Sequence, residues 1–301
     1  MNLHHLAVFH AVAREQSVTR GAQRLKTSQP AVSRQLAELE RALQARLVDR
    51  LPRGVGLTPA GELLYGYAQK IFALEAEARR AIGELQGLQR GRLLIGASLT
   101  VGSYLLPAIL ARFRAAHPGL EVAVEIANTR EVLAQLARRR LDLGLTEGFV
   151  PGQEFRWEVF GGDELVGIGP PGHPLAQAGR VTAARLCAQP VILREEGSGT
   201  RAVIERALVA KGLRIQPVMT LGSTEAIKAA VACGAGLAIV SQLSVRVELD
   251  QGRLALIHLS DLRIHRDLHL SRLADRTPGR AAQAFMRMLK TEGISGQTGR
   301  R

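Results

Sequence analysis

The run from Thr27 to Leu43, TSQPAVSRQLAELERAL, constrains this chain more than any other stretch, because its side chains sort onto two faces of one helix. At about 100° per residue, Val32, Leu36, Leu39 and Leu43 share a narrow sector, and Gln29, Ser33, Arg34 and Ala37 occupy the neighbouring one. The apolar stripe is a core face. Upstream, Leu3, Leu6, Phe9, Val12 and Ala13 predict a first helix, and Val18, Ala22 and Leu25 a short second one. Ser17 is placed to cap the second helix and Ser28 the third. Three short helices at this spacing predict a helix-turn-helix. The polar face of the third carries short side chains, one amide and one guanidinium, so a backbone can approach a nucleic-acid groove and still offer bidentate hydrogen bonds to base edges.

The following segment, LVDRLPRGVGLTPAG (Leu47 to Gly61), predicts a small β wing with Arg50 and Arg53 around Pro52, Gly54 and Gly56. Arginine on a Gly-rich hairpin tip suits phosphate contact, and Thr58 is placed to cap the next helix while offering its hydroxyl to a phosphate. The bland reading pairs Arg50 with Asp49 or Glu62 on a solvated surface.

With these residues in hand, Met1 to about Gly91 resembles the amino-terminal region of LysR-type transcriptional regulators: a Ser or Thr before a short helix, the SQPAVSRQ element, an L..R..RG..LT.AG wing and a long helix afterwards. Val48 departs from the pattern, where the family usually has Phe, which thins the packing under the wing. The resemblance implies groove contacts from Gln29, Pro30, Ser33 and Arg34, and backbone contacts from Arg50, Arg53 and Thr58. It also implies promoter DNA, RNA polymerase and further copies of the chain, as dimers or tetramers, for partners.

Composition agrees. The 301 residues carry a formal net charge of +13 and a sequence pI near 10.9, a balance that favours polyanions and makes affinity salt-dependent. Arg138, Arg139, Arg140, Arg263, Arg266, Arg300 and Arg301 lie well beyond the first module, so part of the charge is solubilising surface. The amino terminus carries His4, His5, Arg14 and Glu15 rather than a basic start and an apolar run, so a cytoplasmic chain without a membrane partner is expected. Cys187 and Cys233 are too few and too far apart for a disulfide framework, and a buried structural role is expected of both. No metal or cofactor is expected.

Between the wing and residue 91, Leu64, Tyr67, Ile71, Leu74, Ala78, Ala81, Leu85 and Leu88 alternate at three and four, the spacing of a seam for a partner helix. A homodimer is predicted, and GLQRGR (Gly87 to Arg92) reads as a hinge. The expected organisation is a winged helix-turn-helix domain over 1–58, a linker and dimerisation helix over 59–90, and an α/β domain over 91–301.

From Arg92 onward strands and helices alternate: LLIGA, a helix from Ser103 to His117, EVAVEIA, a helix from Arg130 to Arg140, and LDLGLTEG. Strand ends in such folds collect ligands. The sharpest local signal is EEGSGTR, where Gly197 and Gly199 let amides converge, Ser198 and Thr200 add hydroxyls, and Arg201 adds charge or pairs with Glu205. Ser98, Thr100, Asn128, Thr129, Thr146, Glu147, Ser223 and Thr224 end other strands or open other helices, and each has a capping explanation as well. This part resembles the effector-binding region of LysR-type regulators, similar to a periplasmic binding protein with two subdomains. The resemblance implies subdomain I at about 91–164 and 266–301 and subdomain II at about 165–265. The chain then crosses near Gly162 to Val166 and returns near Ile264 to Leu268, with the helix from Ala281 to Lys290 packed on subdomain I. EEGSGTR is similar to the loop in branches that regulate inorganic sulfur or carbon assimilation, implying a small anionic effector.

Two other classes remain. An architectural DNA binder needs only the charge and the seam, and has little use for a cleft lined by hydroxyls. An enzyme on the same two-subdomain fold needs a catalytic set, and the eight histidines show no HExxH, while Ser198 sits in EGSGT rather than GxSxG.

Overall fold

The computed structural model describes residues 2–51, 54–85, 91–148 and 152–292. Two compact units are present, Met1–Ile82 and Gly83–Arg301.

In the first unit, α1 (Leu3–Glu15), α2 (Val18–Arg24) and α3 (Gln29–Leu43) precede a hairpin of β1 (Val48–Leu51) and β2 (Gly54–Leu57) and the long α4 (Pro59–Leu85). The predicted caps are made: Ser17 Oγ accepts from the Arg20 amide at 3.3 Å and Ser28 Oγ from the Ala31 amide at 3.4 Å. Leu6, Phe9, Val12, Val32, Leu36 and Leu39 meet in one buried cluster, with Val48 half-buried against it. The Glu40 carboxylate accepts from the Leu47 and Val48 amides at 2.8 and 3.3 Å, tying the wing to α3.

The second unit is built on a sheet in the order β4-β3-β5-β12-β6-β10-β8-β9. Its elements are β3 (Arg92–Ser98), a wide turn at Val101–Leu105, α5 (Leu106–Ala116), β4 (Glu121–Ala127), α6 (Thr129–Ala137), β5 (Leu143–Glu147) and the long β6 (Phe155–Gly169). There follow α7 (Pro174–Gln177), β7 (Arg180–Val181), α8 (Ala183–Cys187), β8 (Val191–Arg194), α9 (Gly199–Val209), β9 (Pro217–Leu221), α10 (Thr224–Ala232) and β10 (Leu237–Ser241). The chain closes with α11 (Arg246–Asp250), β11 (Ala255–Leu259), β12 (Ile264–Leu273) and α12 (Arg280–Glu292). β3 runs parallel to β4 and β5, and β8 parallel to β9 and β10, giving two α/β lobes.

The lobes share two strands. β6 pairs with β12 from Phe155 to Leu165 and with β10 from Leu165 to Ile168, so one continuous strand belongs to both. Lobe I packs Leu93, Ile95, Phe113, Leu143, Leu145 and Phe285 together, with the Phe113 and Phe285 rings edge-on at 5.1 Å, so α12 does return to this lobe. Lobe II holds its own clusters around Leu193, Ile204 and Ile239, and around Ile227 and Val240.

Three expectations need correction. The helix expected from Ser103 begins earlier, as a π-helical turn over Val101–Leu105 that passes into α5 at Leu106, where Pro107 lacks the amide for a regular α ladder. The helix expected to run to Arg140 ends at Ala137, and Arg139 follows with a φ of 58°. Cys233 is exposed rather than buried, and Cys187 is half-buried, its thiol pushed up by burial and by Asp261.

Candidate functional site

On the first unit, α3 presents Gln29, Pro30 and Arg34 exposed and Ser33 half-buried, opposite the buried Val32, Leu36 and Leu39. Thr19 Oγ1 donates to Gln29 Oε1 at 3.2 Å, which orients the amide from the preceding helix. Thr58 makes the cap expected of it, its hydroxyl accepting from the Gly61 amide at 3.0 Å, and donates to the Arg46 carbonyl at 2.7 Å. Its proton is spent inside the domain, so the hydroxyl is a cap of α4 rather than a free phosphate donor. Arg53 and the Arg50 side chain lie outside the described residues.

The expected seam on α4 is also redistributed. Leu64 and Ile71 turn inward against the helix-turn-helix core. Among the described side chains of this helix, Leu63, Tyr67, Leu74 and Ile82 are the large apolar ones left exposed, with Ala78 exposed among them. A helix that packs on its own domain over its first turns has only the remaining face for a partner. The Ala81 and Leu85 side chains and Leu88 fall outside the described residues.

In the second unit the strand ends of both lobes converge. Ser98, Thr100, Thr129, Thr146, Glu147, Ser198, Thr200 and Thr224 are all buried. Capping accounts for part of the set: Asn128 Oδ1 accepts from the Glu131 amide at 3.0 Å, Ser198 Oγ from Arg201 at 3.4 Å and Ser223 Oγ from Ala226 at 3.1 Å. Arg201 takes its alternative reading, with Nε on Glu205 at 2.8 Å and a guanidinium nitrogen on the Arg194 carbonyl at 3.2 Å.

The Gly197–Gly199 turn of lobe II lies directly on lobe I. The Gly197 carbonyl accepts from the Arg130 amide at 3.1 Å, and Gly197 itself has a φ of 90°. At Gly199 a Cβ would stand 2.3 Å from the Glu147 carbonyl and 2.6 Å from Thr129 Oγ1, so only glycine permits this approach. Beside the turn, between α6 and α9, lies a cavity of about 700 Å³ with Leu133, Phe155 and Ala202 on its walls and Arg130, Glu196 and Glu205 among its polar lining.

Below the turn is a charged network that the sequence did not disclose. Arg266 and Asp163 are register partners on the two shared strands. Arg266 donates to Asp163 Oδ2 through Nε at 2.8 Å and a terminal nitrogen at 2.6 Å, and to Thr200 Oγ1 at 2.7 Å. Glu147 Oε1 accepts from Thr200 at 3.2 Å and lies 3.4 Å from Arg266. One arginine thus ties the end of a lobe I strand, the shared strands and the first turn of a lobe II helix.

A second cross-lobe contact joins Tyr104, after β3, to Glu225 in α10, the phenol donating to the carboxylate. Burial pushes the Tyr104 hydroxyl far above its usual range, and Glu225 adds to this. Buried Lys228 donates to the Ser244 carbonyl at 2.7 Å and pairs with Glu225 at 2.8 Å and Glu248 at 3.0 Å. Buried Arg194 forms a forked pair with Glu195 at 2.7 and 2.9 Å and reaches Thr224 Oγ1 at 3.3 Å. Arg194, Lys228 and Arg266 are therefore each matched to a carboxylate of this chain. For Arg266, whose partner Asp163 lies 103 positions away, the polarity of the position alone carried no signal for the pairing.

The chain matches the model for the bacterial regulatory helix-turn-helix protein, lysR family, over residues 3–62, and that for the LysR substrate binding domain over residues 86–293. It is 35% identical to the RuBisCO operon transcriptional regulator of Allochromatium vinosum over 97% of this chain and 96% of that one. It is 33% identical to the HTH-type transcriptional regulator CysL of Bacillus subtilis (strain 168) over 95% and 96%. Among solved structures, the Synechocystis PCC6803 CcmR regulatory domain in complex with 2-PG matches 68% of this chain and 99% of its own, with a TM-score of 0.63 and 26% identity. Full-length CbnR complexed with its target DNA shares the fold over 97% of this chain and 99% of its own, with a TM-score of 0.72 at 20% identity. The helix-turn-helix with its polar third helix, the two lobes on shared strands and these matches lead to one assignment: the chain belongs to the LysR family and is a transcriptional regulator with an effector-binding domain.

Proposed function

We propose that this regulator reads promoter DNA as a homodimer, or as a tetramer of paired dimers, and responds to a small acidic effector held between its two lobes. Gln29, Pro30, Ser33 and Arg34 enter the major groove, and Arg50 and Arg53 contact the backbone. The exposed Leu63, Tyr67, Leu74 and Ile82 stripe pairs two copies. RNA polymerase is the downstream partner, the compartment is the cytoplasm, and no chemical step is catalysed. Among the described residues no helix is long and apolar enough to cross a membrane.

One observation supports the effector reading above the others: Ser98 Oγ and Thr146 Oγ1, at the ends of β3 and β5, are buried without a hydrogen-bond partner. Buried hydroxyls are normally satisfied, so these are free to donate to an incoming acceptor. Because the buried cations are matched internally, the acid is held by neutral donors, with opening and closing of the lobes coupling its binding to the spacing of the DNA modules. Footprinting across the region upstream of its own coding sequence tests the proposal. A protected dyad that shifts with a small acid is the expected result, and equal affinity for random fragments at low salt would overturn it.

A further inference from the structure

The two unpartnered hydroxyls have a third polar neighbour on the same sheet face. In the parallel pair of β3 and β5, Ala97 stands opposite Leu145, so Ser98 and Thr146 follow as neighbours on one sheet face. In the antiparallel pair of β5 and β12, Thr146 stands opposite His269. Three polar side chains thus project side by side from adjacent strands, spanning about 10 Å at the usual strand spacing. They are 1%, 0% and 7% exposed. Ser98 Oγ, Thr146 Oγ1 and His269 Nδ1 all lack a partner.

A backbone hydrogen bond at Gly148 engages the His269 ring, and Nδ1 is the nitrogen without a partner, the one open to a ligand. The Trp157 ring stands edge-on to the imidazole at 4.9 Å. Burial holds its pKa below the ordinary value against the opposing influence of Asp267, so the ring is neutral. With the proton of the neutral ring on Nε2, the row offers two hydroxyl donors and then one acceptor.

Resting on the effector reading above, we infer that Ser98, Thr146 and His269 form one receptor row for a small hydroxy acid, the hydroxyls donating to its acid group and His269 Nδ1 accepting from its hydroxyl. A plain acid leaves the imidazole lone pair buried and unmet, so the row discriminates against it.

Calorimetry on the full chain with matched pairs, glycolate and acetate, lactate and propionate, malate and succinate, tests this. Wild type is expected to bind the hydroxylated member of at least one pair about tenfold or more tightly than its deoxy partner. His269→Phe removes the acceptor and brings the two members level by weakening only the hydroxylated one. His269→Asn, whose amide oxygen replaces Nδ1 as acceptor, retains the preference, and a purely structural role would not be rescued selectively. Ser98→Ala and Thr146→Ala weaken both members. Equal binding of both members by wild type, lost on Ser98→Ala, overturns the role of His269 and leaves the cleft as the acid site. Binding indifferent to Ser98→Ala and Thr146→Ala, or no binding of any acid, overturns the row and the acidic-effector reading together.

Discussion

Replacing Arg266 with Met tests whether the lobes are joined by a buried charge network. The guanidinium makes two hydrogen bonds to Asp163 and one to Thr200, and stands 3.4 Å from Glu147, all in the interior. Met fills a similar volume but leaves two buried carboxylates facing each other without a cation. Removing one partner of a buried pair costs about 3–5 kcal/mol, against about 0–1 kcal/mol for a surface pair. Against a typical domain stability of about 5–15 kcal/mol, the loss is large. The assay is denaturant unfolding followed by fluorescence of Trp157, the single tryptophan, which lies on β6, the strand that also carries Asp163. The expected outcome for Arg266→Met is a lower midpoint at unchanged slope. Asp163→Asn combined with Arg266→Met removes one stranded charge, so the double variant loses less than the sum of the singles by about 0.5–3 kcal/mol. A loss below about 1 kcal/mol for Arg266→Met would place the network among surface pairs and refute the reasoning.

Other perturbations reach the remaining parts of the molecule. Gln29→Ala should cost about 1–3 kcal/mol on the cognate site and little on scrambled DNA in a gel-shift titration, and equal losses on both would remove Gln29 from base readout. Gly199→Ala forces its Cβ against the Glu147 carbonyl, so the turn lifts off lobe I; a stability loss of about 1–3 kcal/mol with a blunted effector response is expected, and an unaltered response would show that the contact does not govern closure. His269, with its pKa lowered by burial, is protonated first in the unfolded chain, so the effector domain should lose stability as pH falls below 6.5; His269→Phe flattens that loss, and parallel pH curves would contradict the burial. For Glu225, burial raises the pKa but hydrogen bonds from Lys228 and Tyr104 outweigh it, leaving the carboxyl below 4.5. Its stabilising contribution is complete above pH 4.5 and disappears as pH falls through the folded value. The gap between wild type and Glu225→Gln in thermal melts should therefore close in acid, and a gap independent of pH would count against the cross-lobe contact.

Features that a few neighbouring residues control are legible before the chain folds. The stripe of Val32, Leu36 and Leu39 defines α3 and its buried face, and Ser17, Ser28, Asn128 and Ser223 cap helices from three residues away. Apolar strands separated by helices announce the α/β domain, and Gly197 and Gly199 mark a tight turn. The tertiary structure decided the rest. Leu64 and Ile71 have the spacing of a partner seam, yet α1 and α3 lie close enough to claim them. Arg266 meets Asp163, 103 positions earlier, and Thr200, 66 positions earlier, only because β6 and β12 pair in one register. His269 joins Ser98 and Thr146 for the same reason, since a shift of one residue would turn it to the opposite face. Helix periodicity and capping act over three or four residues and are written locally; strand register is set by the packing of both sheet faces at once, so the polar groups it aligns appear only in the folded chain.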